Sequence, residues 1–138
     1  MSDQQAKIIN NPARAKFTVL LAEDDFAIAN MLSISLNMAG YKTVVAENGK
    51  LAVERILNYK PQLILMDINM PEMQGFEALD ELKKQGYTLG SAKVIFLTNS
   101  SSPGDMTKAK SYNAGYKVKA DLTPRELVDL ADKTLNIN

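Results

Sequence analysis

The sequence predicts an α/β domain, a doubly wound sheet of five parallel strands with helices on both faces. Three observations carry this expectation. Five short β-leaning runs alternate with five segments of helical spacing along 138 residues, the order that builds a parallel sheet through right-handed crossovers. The third run, Leu63-Ile64-Leu65-Met66, is apolar without alternation, as suits a strand buried on both faces. Starts and stops of helices, written in proline, glycine and capping residues, fall between the runs. A chain of this length makes one domain, within the usual range of about 100 to 200 residues, and buries roughly two-thirds of its unfolded surface.

Phe17–Ala22 (FTVLLA) is the first predicted strand. The first helix follows in FAIANMLSISLNMAG, where Ile28, Met31, Leu32, Ser35, Leu36 and Ala39 recur at helical spacing and Gly40 stands as the C-terminal stop. KTVVAE is the second strand and KLAVERILNYK the second helix, opened by Asn48-Gly49. QLILMD is the third strand, and Gly75 to Gln85 the third helix, with Phe76, Leu79 and Leu82 on one stripe. Lys93–Thr98 (KVIFLT) is the fourth strand. Ser102-Pro103 supplies an N-cap with proline at the first helical position of the fourth helix, and Asp105 sits in its first turn. Tyr116–Lys119 (YKVK) is the fifth and shortest strand. Thr123-Pro124-Arg125-Glu126 is a capping box that opens the last helix, carried by Leu127, Leu130, Ala131 and Leu135. Ahead of these elements, residues 1–16 (MSDQQAKIINNPARAK) are polar and lack the apolar core of a signal peptide. They are expected to form a loose leader, with the domain spanning 17–138.

Composition works by exclusion. Sixteen basic residues balance sixteen acidic ones, so no electrostatic footprint points to nucleic acid or to a membrane surface. No apolar run approaches the roughly 18 to 20 residues of a membrane-spanning helix, and a cytoplasmic protein is expected. The chain has no cysteine and no histidine. That excludes disulfides, thiolate metal sites, His-ligated zinc and Ser-His or Cys-His nucleophile pairs. It also means that this chain cannot itself carry a phosphohistidine. Chemistry must rest on carboxylates, lysine, hydroxyls or a hard metal ion.

In a doubly wound sheet, ligands bind beyond the carboxyl ends of the strands, where the strand order reverses. The residues that close each strand therefore matter most. Strand one ends in Glu23-Asp24-Asp25, strand three in Asp67, strand four in Thr98 and strand five in Lys119, while strand two ends in the turn residues Glu47-Asn48-Gly49. Singly, each has a plain structural reading: Asp25 caps the first helix, Thr98 suits a strand, Lys119 is solvated and Asp67 begins a turn. Together they make a site. Carboxylates held a few ångströms apart repel unless a cation or a proton intervenes, and donors that are all oxygen select Mg²⁺ or another hard divalent ion. A carboxylate such as Asp67 can act as nucleophile toward phosphorus and give an aspartyl-phosphate. Such transfer needs positioning and charge neutralisation more than acid–base groups. The metal ion and Lys119 would supply the charge, and the Thr98 hydroxyl would bind a phosphoryl oxygen.

The motifs LLAEDD, LILMDINMPEMQGFEAL, VIFLTNSS and GYKVKADLTPREL, spread from about Phe17 to Leu135, resemble the receiver domain of two-component response regulators, in particular the single-domain chemotaxis regulator. The resemblance implies a flavodoxin-like fold with strand order 2-1-3-4-5 and five helices. It implies Asp67 as phosphoacceptor, Asp24 as direct metal ligand, Glu23 holding the ion through water, and Asn69 offering its backbone carbonyl. It further implies that Thr98 and Lys119 contact the phosphoryl group and that Tyr116 is an aromatic switch, turning inward when Thr98 moves. The implied cofactor is Mg²⁺ (or Mn²⁺). The implied donor is a sensor histidine kinase or a histidine-containing phosphotransfer protein, and the implied downstream target binds the face of the fourth helix, fifth strand and fifth helix, including Lys117 and Asp121. Such a chain catalyses only its own phosphorylation and dephosphorylation. Three positions depart from the pattern. Ala120 stands where the family often has a proline after a cis bond; a cis bond before a non-proline residue costs about 2.5 to 4 kcal/mol, so a trans bond and a different loop are expected. Asn99 replaces a smaller residue and is expected to narrow access to the site. The segment SYNAGY before the fifth strand is shortened.

Other readings meet specific obstacles. A flavodoxin-like electron carrier would need a hydroxyl- and glycine-rich loop after strand one to cradle a phosphate, which Glu23-Asp24-Asp25 would repel. A Mg-dependent aspartyl-phosphate phosphatase of the haloacid dehalogenase type would want a second Asp two positions after the nucleophile, where this chain has Asn69. A receiver-like module that binds partners without being phosphorylated is compatible with Asn99 and Ala120 but leaves the complete acidic site without a purpose. The last predicted helix takes up the sequence to Asn138, so output is expected through protein contact, as a diffusible regulator or as a relay intermediate.

Overall fold

The computed structural model describes residues 8–99 and 102–137. Among them, strands β1 (Thr18–Ala22), β2 (Lys42–Ala46), β3 (Leu63–Asp67), β4 (Lys93–Thr98) and β5 (Gly115–Val118) alternate with helices α1 (Phe26–Ala39), α2 (Gly49–Tyr59), α3 (Gly75–Lys84), α4 (Pro103–Ser111) and α5 (Pro124–Thr134). All pairings are parallel, in the order β2-β1-β3-β4-β5. Strand order therefore reverses between β1 and β3, as the sequence predicts. Ala22 pairs with Met66 and Asp67 with Leu97, so Glu23 leaves β1 level with Asp67. Thr98 pairs with Val118, which brings Lys119 to the same edge.

The alternation of side chains along the strands splits the core in two. Leu20, Ile64, Met66 and Phe96 pack under α2 and α3, whereas Val19, Leu21, Leu65 and Leu97 pack under α1 and α5. All five residues of β3 are buried, which is why its run shows no alternation. Each fully buried Leu, Ile or Phe contributes roughly 1.5–3 kcal/mol of transfer free energy, and this apolar scaffold holds the strand ends in place.

Helix ends follow the expected cap chemistry. The Asp25 carboxylate accepts the Ile28 N–H at 3.0 Å, Gly40 closes α1 at φ +114°, and Thr123 with Glu126 forms the capping box of α5. Two expectations need correction. The fifth strand is Gly115–Val118, and Lys119 opens a 3-10 turn, Lys119–Asp121. Its side chain is drawn to two carboxylates across the sheet edge, and the backbone turns there. Met31 is 47% exposed; the buried stripe of α1 runs through Ala29, Leu32, Ser35, Leu36 and Ala39, and Met31 falls on its solvent flank.

Of the stretch expected as a leader, residues 1–7 lie outside the described residues, and residues 8–16 make contacts with the domain. Asn11 caps a 3-10 turn, Pro12–Lys16, and its backbone N–H donates to Ala39 at 2.9 Å. Arg14 donates Nε to Asp132 at 2.8 Å and Nη1 to the carbonyls of Ile9 at 2.8 Å and Ala39 at 2.9 Å. Tyr41 donates its hydroxyl to the same Asp132 carboxylate. Burial pushes the Asp132 carboxyl up, but these bonds and the Arg14 charge outweigh it and hold the group below its ordinary value. Gly40 is required where the segment crosses α1: its φ is left-handed, and a Cβ would sit 2.8 Å from the Asn11 carbonyl oxygen.

Candidate functional site

Glu23, at the end of β1, and Asp67, at the end of β3, are almost inaccessible, 2% and 3% exposed, while Asp24 is open to solvent. The Glu23 N–H still donates to Ala46 at 3.0 Å, so β2 holds this residue in a strand-like path. One carboxylate oxygen from each of Glu23, Asp24 and Asp67 lies within 4.8 Å of the other two. Lys119 Nζ bridges the buried pair, 2.7 Å from Glu23 Oε1 and 3.0 Å from Asp67 Oδ2. The second oxygen of each buried carboxylate takes a backbone N–H: Asp25 to Glu23 Oε2 at 3.1 Å, and Asn69 to Asp67 Oδ1 at 3.3 Å.

The charges do not balance. Three carboxylates face one ammonium, a surplus of two negative charges when all are ionised. Burial pushes the Glu23 carboxyl up, and the Asp67 charge adds to this. Bonds from Lys119 and the Asp25 N–H oppose the rise without cancelling it. Burial pulls the Lys119 ammonium down, but hydrogen bonds to Glu23 and Asp67 more than restore it, so its pKa lies above the ordinary value. A divalent cation with oxygen ligands fits this donor set in charge and in hardness.

The loop after Asp67 is tightly supported. The Gly75 N–H donates to Ile68 at 2.8 Å, and a Cβ on Gly75 would lie 2.5 Å from the Asp67 carbonyl oxygen. Glycine is therefore needed for the start of α3 to close on the site. Gly49 plays the same part from α2, where a Cβ would meet the Met73 carbonyl oxygen at 2.0 Å. Sequence reading misses both glycines as site supports; the only signal is that each is the first residue of a helix that follows a strand.

The remaining expected residues occupy neighbouring positions. Thr98 is 2% exposed at the end of β4, one step beyond Leu97, the partner of Asp67. Tyr116 pairs with Phe96 and so shares a sheet face with Thr98. It is half-buried, and its hydroxyl accepts the Ser102 N–H at 3.2 Å at the start of α4. Asn69 is exposed. Asn99 lines, with Lys119, Ala120 and Met31, a groove of about 250 Å³ that runs to α1. Among the described residues no peptide bond is cis.

Residues 19–132 match the response regulator receiver domain. The chain belongs to this family. Among its curated relatives, the phosphate regulon transcriptional regulatory protein PhoB of Pseudomonas aeruginosa is 32% identical over 111 residues, which cover 80% of this chain and 48% of that protein. The nitrate/nitrite response regulator protein NarL of Escherichia coli is 34% identical over 113 residues, covering 80% and 51%. The chain thus spans about half the length of these relatives. Among solved structures, the chemotaxis protein CheY4 of Vibrio cholerae superimposes with a TM-score of 0.77 at 28% identity, over 86% of this chain and 98% of that one. A CheY-like receiver domain protein of Methanospirillum hungatei gives 0.78 at 26% identity, over 87% and 94%. The five-stranded parallel order is that of a receiver domain, and an acidic cluster stands at its carboxyl edge. No helix among the described residues is long and apolar enough to cross a membrane.

Proposed function

We propose that this receiver domain accepts a phosphoryl group on Asp67 from a phosphohistidine of a sensor histidine kinase or a histidine-containing phosphotransfer protein, with Mg²⁺ or Mn²⁺ as cofactor. The observation that carries the reading is the convergence of Glu23, Asp24 and Asp67 on one point with Lys119 as their only ammonium partner among the described residues. A carboxylate oxygen of Asp67 attacks phosphorus; the P–N bond to the donor imidazole breaks, and the imidazole leaves with the electron pair. β3 and the Asn69 N–H hold the nucleophile rigid, which is what in-line attack needs. Lys119, already on Asp67, follows the charge onto a phosphoryl oxygen, and the Thr98 hydroxyl donates to another. Glu23, Asp24, Asp67 and the Asn69 carbonyl would hold the metal, which when bound neutralises the surplus carboxylate charge and the phosphoryl oxygens. Exposed apolar residues at the start and along α1, Phe26 and Met31, offer the donor a seat beside the open side of the site.

The same chain would signal through protein contact. Movement of Thr98 toward the phosphoryl group vacates space on the sheet face that Tyr116 shares, and an inward turn of Tyr116 releases the Ser102 N–H. That changes the face made by α4, β5 and α5, with Lys117 and Asp121. With Asn69, an amide, two positions after the nucleophile, no carboxylic acid stands there to serve a foreign substrate, so catalysis is confined to self-phosphorylation and self-dephosphorylation. Acetyl phosphate with Mg²⁺ should add one phosphoryl group, read by prompt intact-mass spectrometry, and Asp67→Asn should not take it up. Equal uptake by Asp67→Asn would overturn the assignment.

A further inference from the structure

Among the described residues β5 is an edge strand, paired only with β4. Beside it runs a groove of about 440 Å³ whose lining, among those residues, includes Lys93, Lys117 and Lys133 and no carboxylate. None of these lysines has an ion-pair partner among the described residues. Apolar residues lie between them, with Ile95 and Leu130 on the α5 side of the sheet, and Gly115 leaves the start of the strand without a side chain. An unpaired strand edge is a template for another extended chain, with main-chain bonds giving affinity and flanking side chains giving selectivity. We infer that this groove docks an extended acidic segment of a partner protein, which adds to the edge of β5 and sets its carboxylates against Lys93, Lys117 and Lys133.

A second copy of this chain fits poorly, because a two-fold contact through β5 would bring both sets of lysines together. A nucleic acid would meet the same charges but could not use the strand edge, and the chain as a whole carries no net charge to attract one. The inference deepens the output face proposed above, since Tyr116 and Lys117 both border the groove. It concerns the unphosphorylated groove, however, and does not depend on transfer to Asp67.

The probe is a fluorescent peptide of alternating Glu and Val, titrated with the full chain and followed by anisotropy and by amide chemical shifts. Controls are its Lys-for-Glu counterpart and a single-stranded oligonucleotide. The acidic peptide should bind, with shifts concentrated on 115–118 and on Lys93, and the basic peptide should not. Raising the salt from low to about 0.3 M should weaken binding, because the pairs lie at the surface. Lys117→Glu with Lys133→Glu, both exposed and therefore tolerated by the fold, should weaken it by at least roughly tenfold, whereas Lys83→Glu on α3 should not. Full affinity in the double variant, shifts centred on α3, or preference for the oligonucleotide would each overturn the inference. Asp67→Asn should bind the peptide like wild type, so a failure of phosphorylation and a failure of docking give different patterns.

Discussion

The two edges of the sheet use similar groups to opposite ends. At the amino edge, Arg14, Asp132 and Tyr41 form a closed set in which the one carboxylate receives hydrogen bonds from two side chains. At the carboxyl edge, Lys119 is shared between Glu23 and Asp67, with Asp24 beside them. Burial pushes both Asp132 and Glu23 up. Asp132 nonetheless ends below its ordinary value and Glu23 above it, because one has more donors than it needs and the other competes for a single ammonium. A balanced cluster stabilises the fold. A cluster with surplus charge favours a cation, as the phosphoryl site proposed here would need.

The comparison breaks most visibly at Lys119. In Lys119→Met two buried carboxylates lose their shared partner, and removing one side of a buried charge pair costs about 3–5 kcal/mol. Urea unfolding at neutral pH should show that loss. Acidification should recover part of it, because the Glu23 carboxyl, pushed up by burial, loses the ammonium that opposes the rise: protonated, it favours the fold, and the benefit disappears as pH rises. Arg14→Ala should cost roughly 2–4 kcal/mol, between an exposed pair and a buried one. Here the pH dependence has the opposite sign. Asp132 contributes stability above its ordinary value of 3.8 and loses it as pH falls through the lower value it has in the fold. The gap between wild type and Arg14→Ala should therefore narrow in acid, measured as urea midpoints against pH. A gap that widens in acid would show that the amino edge is not held by Asp132.

The carboxyl edge could be read from the sequence far better than the amino edge, and the reason is physical. Strand periodicity and the reversal of strand order confine every strand-end residue to one place, so Glu23, Asp24, Asp67, Thr98 and Lys119 could be grouped before any coordinates. Arg14 and Asp132 are 118 positions apart and belong to no repeating pattern. Asn11-Pro12 has the same cap-and-proline form as Ser102-Pro103, but it stands in a polar stretch whose pattern points to no partner on the domain. Met31 was misplaced for a related reason: helical spacing identifies a stripe, and its borders depend on which neighbours pack against it. The bend at Lys119 follows from a contact across the sheet, which β propensity does not contain.

Smaller effects sharpen the contrast. Thr98→Ala should still be phosphorylated on Asp67 but lose phosphate-dependent partner affinity, on the scale of one charge-assisted hydrogen bond, roughly 1.5 to 3 kcal/mol. Partner affinities of both proteins, phosphorylated and not, measure this; a wild-type ratio in the mutant would send output through another face. Asp25→Ala should cost only about 1 kcal/mol, the loss of an N-cap. Its response to Mg²⁺ should match wild type, because the Asp25 side chain serves Ile28 and only its backbone serves Glu23.

The most direct measurement is thermal melting of wild type and Asp24→Asn, in chelator and in millimolar Mg²⁺. Asp24 is the exposed member of the cluster, so its replacement removes surplus charge with little change in packing. In chelator, Asp24→Asn should melt at or above the wild-type temperature. With Mg²⁺ the wild type should rise by mass action, and the variant should rise less. A wild type indifferent to Mg²⁺, together with an Asp24→Asn that melts lower in chelator, would mean that the carboxylates are already satisfied and that the site is no phosphoacceptor.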